Sequence, residues 1–293
     1  VDGCLQGVLG HARTDAGWGA GVFFPRTKGW QGYLGVYLDK IVAGHRANAA
    51  RDDRSTSALI ERCQHLAPSR GFADRLRRDS KESLAVIAEV KRRSPSKGEL
   101  WGPRPIGPLV AEYVKGGASC LSVLTDVDDF GGSPSDLTEA RALAHVPVLR
   151  KDFTVSLNDV VDTRLMGGDC VLLIAAVLSE TEMRSMVDVA REVGLDVLIE
   201  THDEVEVERS LDLGVEMIGV NQRDLVTFEV DHERAVRMAS VIPPSVLRIA
   251  ESGVRGHDDA HDLRRAGFDA VLVGESLLVS SSPSSALADL RVR

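Results

Sequence analysis

Eight short apolar runs, each separated from the next by a helix-length stretch, predict an α/β protein: a closed (β/α)8 (TIM) barrel. Three observations carry the prediction. The runs at 84–90, 120–124, 146–149, 170–175, 196–199, 217–220, 246–250 and 270–273 are almost continuously apolar, as parallel strands covered on both faces are. Helical patterns lie between them at 106–117, 135–143, 157–166, 179–193, 203–213, 232–240 and 258–266. Finally, no GxGxxG follows the first strand, which weighs against an open dinucleotide-binding sheet.

Before the first strand the chain has a different character. Residues 1–36 hold Trp18, Phe23, Phe24, Trp30 and Tyr33 among many glycines, without periodicity. The chain starts with Val1, and Met166 is its first methionine. Two expectations stand side by side: an upstream extension of a protein translated from near Val36, or a poorly ordered N-terminal arm. From residue 37 to 293 a single barrel domain is expected, including N-terminal helices over 38–80 that cap the catalytic mouth. These helices are read in LDKIVAGHRANAARDD, STSALIERCQHL and GFADRLRRDS, with Ser55 or Thr56 as a cap for the second and Ser69 preceding the third.

Composition narrows the function classes. The 293 residues carry a formal net charge of −9, against the basic stripe that general nucleic-acid binding needs. No apolar run reaches the length of a membrane span, and the N-terminus lacks the basic and apolar regions of a signal peptide. Cys4, Cys63, Cys120 and Cys170 form no CxxC pair and no metal-ligand spacing, and are expected to be buried thiols. A cytoplasmic enzyme is the expectation, with no nucleic-acid or membrane partner.

In a barrel of this kind the site lies at the C-terminal ends of the strands. The first strand ends in Glu89 and Lys91, which share a face because side chains alternate, and runs into the loop SPSKG. Later strands end in Ser122, Thr125 and Asp126; Arg150, Lys151, Asp152 and Phe153; Glu200; Asn221 and Arg223; Glu251, Ser252 and Gly253; and Gly274 and Glu275. Charges placed directly after buried runs are costly unless paired or used. The glycines after the last two strands allow backbone N–H groups to approach an anion, the usual phosphate position in such barrels. Bland readings compete for each residue: Glu89 and Lys91 as a mutual salt bridge, Lys151 as a surface lysine, Glu200 as a helix cap, Arg223 as a partner of Asp224, and His202 as structural or solvent-facing.

The segments IAEVKRRSPSKG, SVLTD with FGGS, PVLRKDF, LLIAAVL, IETHDEVE, IGVNQRDLVTFEVD, IAESGV and VLVGESL occur in order between Tyr37 and Leu278. By them the chain resembles the indole-3-glycerol phosphate synthase family of tryptophan biosynthesis. The resemblance implies a lyase that decarboxylates and cyclises 1-(2-carboxyphenylamino)-1-deoxyribulose 5-phosphate to indole-3-glycerol phosphate, releasing carbon dioxide and water. No cofactor or metal is implied, and the partner is a small phosphorylated substrate, bound by a monomer or weak homodimer.

The resemblance also implies roles. Lys151 would protonate the ketone oxygen, as an acid whose pKa is lowered by neighbouring cations. Lys91 would contact phosphate or carboxylate and donate a proton in the dehydration. Glu200 and Glu89 would remove protons and balance developing positive charge. Asn221 and Arg223 would orient the substrate, with Glu251 holding the polar array. Ser94, Ser252, Gly253, Gly274 and Glu275 would form the phosphate site, and Phe130, Phe153 and Leu172 would pack on the aromatic ring.

Two departures stand out. The stretch ELWGPRPIGP is proline-rich and carries Trp101, in a loop expected to cover the site, and Asp129 stands where the family often has an aromatic. Competing readings are another phosphosugar barrel, such as phosphoribosylanthranilate isomerase, and a barrel that only binds a phosphorylated ligand. The lysines of EVK and KDF weigh against the first, and both lysines with the three glutamates weigh against the second.

Overall fold

The computed structural model describes residues 31–223 and 230–293, with side chains from Leu38 onward apart from that of His232. Most of the expected extension, residues 1–30, lies outside the described residues, as does Asp224. Eight parallel strands close into a barrel: β1 (Ala85–Val90), β2 (Cys120–Leu124), β3 (Val148–Lys151), β4 (Cys170–Ile174), β5 (Asp196–Thr201), β6 (Met217–Asn221), β7 (Leu247–Glu251) and β8 (Ala270–Val273). Each pairs with its neighbour in sequence, and β1 closes the ring on β8 through Ala85↔Ala270 to Ala88↔Val273.

The outer ring consists of α4 (Gly107–Gly116), α5 (Pro134–Leu143), α6 (Leu157–Leu165), α7 (Glu180–Glu192), α8 (Glu204–Leu211), α9 (His232–Val241) and α10 (His257–Arg265), with α11 (Glu275–Leu278) and α12 (Pro283–Leu290) after the last strand. Their starts follow ordinary capping rules. Ser156 and Ser179 build capping boxes with Asp159 and Glu182, and Ser133 and Asp203 accept N–H groups of the first turns of α5 and α8. The helices α11 and α12 were not among the expected helical patterns. Helix α12 packs so closely on α4 that a Cβ on Gly116 would sit 2.6 Å from the Ser284 carbonyl oxygen.

Strand alternation divides the apolar residues into two sets. Val86, Ala88, Leu121, Val123, Val148, Val171, Ile199, Val220 and Val271 face the helices. Ile87, Cys120, Leu149, Cys170, Leu172, Leu198, Met217, Ile249 and Leu272 fill the barrel. Cys63, Cys120 and Cys170 are buried and free, as expected. The observed strands run one to two residues further than the apolar runs at four ends, taking in Lys151, Glu200, Asn221 and Glu251. These residues keep the ladder register, with Asn221↔Glu251 and Glu200↔Gly219 as partners, so polarity at the mouth does not mark the end of pairing.

Three N-terminal helices precede the barrel, and they do not all cap the mouth. Helix α1 (Gln31–Ala49) does: its Leu38 and Ile41 line the cavity there. Helix α2 (Thr56–Cys63), capped by Ser55, runs down the flank beside α6, where Arg54 pairs with Asp162 at 2.7 Å. The third, α3 (Phe72–Asp79), joins the barrel interior from the opposite end: Phe72 and Leu76 are fully buried against Ala85, Cys120 and Leu247. Ser69 is not its cap. The N–H groups of Phe72 and Ala73 donate to the Asp196 carboxylate at the start of β5, at 2.6 and 3.1 Å. A tertiary contact thus supplies what a local side chain was expected to supply, because α3 must dock on the strand starts to bury its apolar face.

Replacing Asp196 with alanine leaves those two donors without an acceptor in a half-closed site, and is expected to cost about 1–3 kcal/mol of folding stability. Urea unfolding checks this; an unchanged midpoint would mean that apolar packing alone holds α3.

Candidate active site

Strand parity decides what stands at the mouth. Glu89 follows Ile87 and Ala85 on the inward face of β1, Lys151 follows Leu149 on β3, Glu200 follows Leu198 on β5, and Glu251 follows Ile249 on β7. Asn221 stands two residues beyond Gly219 on β6. Every residue given a role in the reaction lines one cavity of about 750 Å³ above the apolar interior, whereas the strand-end residues Ser122, Thr125 and Arg150 do not. Leu172 and Leu272 form its apolar floor, and Phe130 and Phe153, with ring centroids 6.3 Å apart, face it from one side.

Lys151 Nζ donates to Glu200 Oε2 at 2.9 Å and lies 3.9 Å from Glu251 Oε2. Asn221 Nδ2 donates to the other Glu200 oxygen at 2.9 Å. Burial by itself would lower the Lys151 pKa, but Glu200, Glu251 and Glu89 outweigh it and hold it above the usual lysine value. This corrects the expectation of a pKa lowered by cations: the immediate neighbours of Lys151 are carboxylates. Glu200 moves down despite its burial, because Lys151 and His202 favour its anion. Burial, then the Glu200 charge, push Glu251 up to about 8 against the pull of Lys151. The result is an ammonium, an ionised carboxylate and a carboxyl that titrates near neutrality, side by side.

Backbone space makes the cluster possible. A Cβ on Gly219 would overlap Glu251 Oε1, and one on Gly274 would meet Glu89 Oε1 at 2.6 Å. Only glycine at these positions lets the two carboxyls lie flat against neighbouring strands. Glu251 Oε1 is buried and without a hydrogen-bond partner. Glu89 and Lys91 do form the mutual ion pair of the bland reading, at 2.6 Å, yet both face the cavity. Tyr113 Oη donates to the Glu89 carbonyl at 3.0 Å and steadies that strand end.

The remaining expected residues gather on the side of β7 and β8. Ser252 and Gly253 both have left-handed backbones, φ +65° and +75°; for serine this is a strained conformation. Gln222 Nε2 donates to the Ser252 carbonyl at 2.9 Å and ties the turn to the end of β6. Gly274 and Glu275 begin α11, and the Glu275 carboxylate lies 3.2 Å from Lys97 and 4.0 Å from Arg223. Ser94 faces the same region from a short ribbon in which Arg93–Ser94 pairs with Gly98–Glu99.

The proline-rich stretch behaves differently from its expectation. Of that loop, Ser94 to Lys97 line the cavity, whereas residues 99–106 do not. The Arg92 carbonyl accepts N–H groups from Leu100, Trp101 and Gly102, and its guanidinium binds Asp136 and the carbonyls of Gly102 and Arg104. Arg104 stacks over Trp101 at 3.9 Å. The loop is folded on itself, and Trp101 packs against the outer core.

Two contributors escaped the sequence. His202 is not solvent-facing; it is buried between Glu200 and Glu206, and the cap of α8 is Asp203 rather than Glu200. The HD pair after Glu200 was its one signal. His45 of α1 packs on Phe153 with centroids 5.4 Å apart, and its Nε2 lies 3.0 Å from Asp126 Oδ2 and 3.9 Å from Asp152. These three have the composition of a cation site. Their oxygens are largely engaged, Asp126 by the N–H groups of Asp129 and Phe130, Asp152 by Thr125 and Arg150.

The sequence model described as indole-3-glycerol phosphate synthase matches residues 38–290. A protein of that name from Beutenbergia cavernae is 46% identical over 255 residues, covering 86% of this chain and 94% of the relative. Indole-3-glycerol phosphate synthase 1 of Streptomyces coelicolor is 44% identical, with the same coverage of both. The Koribacter versatilis protein is 42% identical over 83% of this chain and 93% of its own length. Among solved structures, the Pyrococcus furiosus thiamine phosphate pyrophosphorylase superposes with a TM-score of 0.53 at 16% identity, covering 72% of this chain and 95% of that one. That likeness concerns the fold alone. No described helix is long and apolar enough to cross a membrane.

The hydrogen bond to Asp126 raises the His45 pKa above 6.5 against its burial, helped by the charges of Asp152, Asp126 and Asp159. A raised folded-state value means that this contribution to α1 docking is complete below about pH 6.5 and fades as pH rises through the folded value. Hydrogen exchange of α1 amides, corrected for intrinsic rates, is expected to show that loss of protection in the native protein and not in His45→Ala. The same pH dependence in the variant would assign it to another group.

Proposed function

The chain belongs to the indole-3-glycerol phosphate synthase family, and on that premise we propose that it decarboxylates and cyclises 1-(2-carboxyphenylamino)-1-deoxyribulose 5-phosphate to indole-3-glycerol phosphate, carbon dioxide and water. The observation that carries the proposal is the partly buried Lys151 ammonium held between Glu200 and Glu251 at the mouth. Ring closure needs a proton at the ketone oxygen while the ring carbon bearing the carboxylate attacks the ketone carbon. Lys151 donates it. Carbon dioxide then leaves from the same ring carbon as the iminium electrons return to nitrogen. Glu200 and Glu89 balance the passing positive charge, since fixed charges in a water-poor site act strongly on charge that develops.

Dehydration requires loss of the new hydroxyl with a proton and removal of a proton from the neighbouring methylene. Lys91 serves as the acid, and Glu200 and Glu251 are the carboxyls in reach of the base role. Glu251, pushed up to about 8, is matched to proton exchange near neutral pH. Ser94, Ser252, Gly253, Gly274 and Glu275 hold the phosphate, the glycines and Glu275 through their backbones. Asn221 and Arg223 orient the chain between phosphate and ring, and Phe130, Phe153 and Leu172 hold the ring itself. The enzyme works in the cytoplasm on this small phosphorylated substrate, as a monomer or weak homodimer.

The test is the fluorescence of indole-3-glycerol phosphate formed from the synthetic substrate. Turnover is expected in the native protein, and Lys151→Ala is expected to lower kcat by about 10²–10⁴ with unchanged circular dichroism. No fluorescence from folded native protein would sink the assignment, and near-native turnover in Lys151→Ala would remove Lys151 from the acid role.

A further inference from the structure

His202 stands two residues beyond Glu200, in the tight turn that joins the end of β5 to α8. Its side chain is largely covered, 12% exposed. Nδ1 lies 3.2 Å from Glu206 Oε2, and Nε2 lies 3.5 Å from Glu200 Oε1. The same Glu206 oxygen accepts the His202 backbone N–H at 2.7 Å. Glu206 is itself fixed in the first turn of α8, where its N–H donates to the Asp203 cap. Nε2 is buried and makes no hydrogen bond, so its contact with Glu200 is an ion pair alone.

A neutral imidazole offers one N–H and one lone pair. With a carboxylate oxygen facing each nitrogen, either neutral tautomer would turn a lone pair on an anion in a buried site. Only the imidazolium satisfies both sides. The acidic groups facing the ring are Glu200 from β5 and Glu206 from α8; Lys151 of β3 and Asn221 of β6 stand beyond Glu200, on its other contacts. Burial would lower the His202 pKa, but the two glutamates raise it to about 9, in keeping with the geometry.

We propose that His202 is a positioning residue: clamped by Glu206, it acts as a fixed cation behind Glu200 that keeps this carboxylate ionised and turned toward Lys151. The proposal rests on the activity assigned above. Chemically, His202 shares with Lys151 the task of neutralising Glu200. Remove its charge, and Lys151 becomes the main counter-ion. The lysine then holds its proton more tightly and is a weaker acid, while Glu200 takes up a proton at a higher pH.

The test joins a spectroscopic and a kinetic measurement. In the native protein, ¹⁵N shifts of the His202 ring are expected to report an imidazolium at pH 7.5, whether or not the protein turns over the proposed substrate. A neutral ring at that pH would overturn the clamp. In His202→Gln, which keeps an N–H donor but no charge, kcat is expected to fall about tenfold with little change in KM. The acidic limb of its pH–rate profile is expected to move up by about one unit. An unchanged profile, with only a lower melting temperature, would leave His202 a purely structural role and refute the proposal. Should His202→Gln fail to fold, Glu206→Gln decides: an acidic limb shifted upward supports the clamp, and an unshifted one refutes it. Inactive native protein with a charged His202 ring would count against the assigned reaction and not against the clamp.

Discussion

Lys151 carries an ammonium into a place where burial works against its charge, and the rest of the mouth answers to that. Glu200 at 2.9 Å keeps it charged, with Glu251 3.9 Å away. Two carboxyls this close to each other cannot both ionise cheaply, so Glu251 is pushed up while Glu200 stays an anion. Asn221 and His202 then hold Glu200 from its other oxygen.

Barrel geometry is what brings the group together. The residues come from strands that are neighbours or opposite across the ring, at the one level where inward positions pass from apolar to polar. Leu172 and Leu272 beneath them exclude water, which strengthens every interaction above. Gly219 and Gly274 leave room for carboxyls that any side chain would displace. The N-terminal segment closes the barrel at both ends, α1 above through His45 and Ile41, α3 below through Phe72 and Leu76. One continuous stretch of chain therefore seals the apolar interior and supplies part of the cavity wall.

Much of this was legible in the sequence. Continuous apolar runs locate every barrel strand because both faces of a parallel barrel strand are buried, and the period of two already sets Glu89 beside Lys91. Of the residues after those runs, Lys91, Lys151, Glu200, Asn221, Glu251 and Gly274 line the cavity, whereas Thr125 and Arg150 do not. Less legible were the outer features. The Pro/Trp stretch looked like a cover for the site, but Arg92 folds it back on itself through backbone carbonyls that no motif displays. His202 read as structural or solvent-facing because its partners, Glu200 and Glu206, become carboxylates on either side of one ring only after β5 and α8 are joined by a tight turn.

Periodicity and residue type are local properties, and by themselves they determined the barrel, the order of its strands and the candidates at the strand ends. Distance and burial are not local. Only the tertiary structure decided that Asp196 caps α3 and that Gly219 makes room for Glu251. It likewise decided that Lys151 sits among anions rather than cations. In each case the deciding partner is remote in sequence, and a pKa or a cap depends on which atoms lie within a few ångströms, whatever their place along the chain.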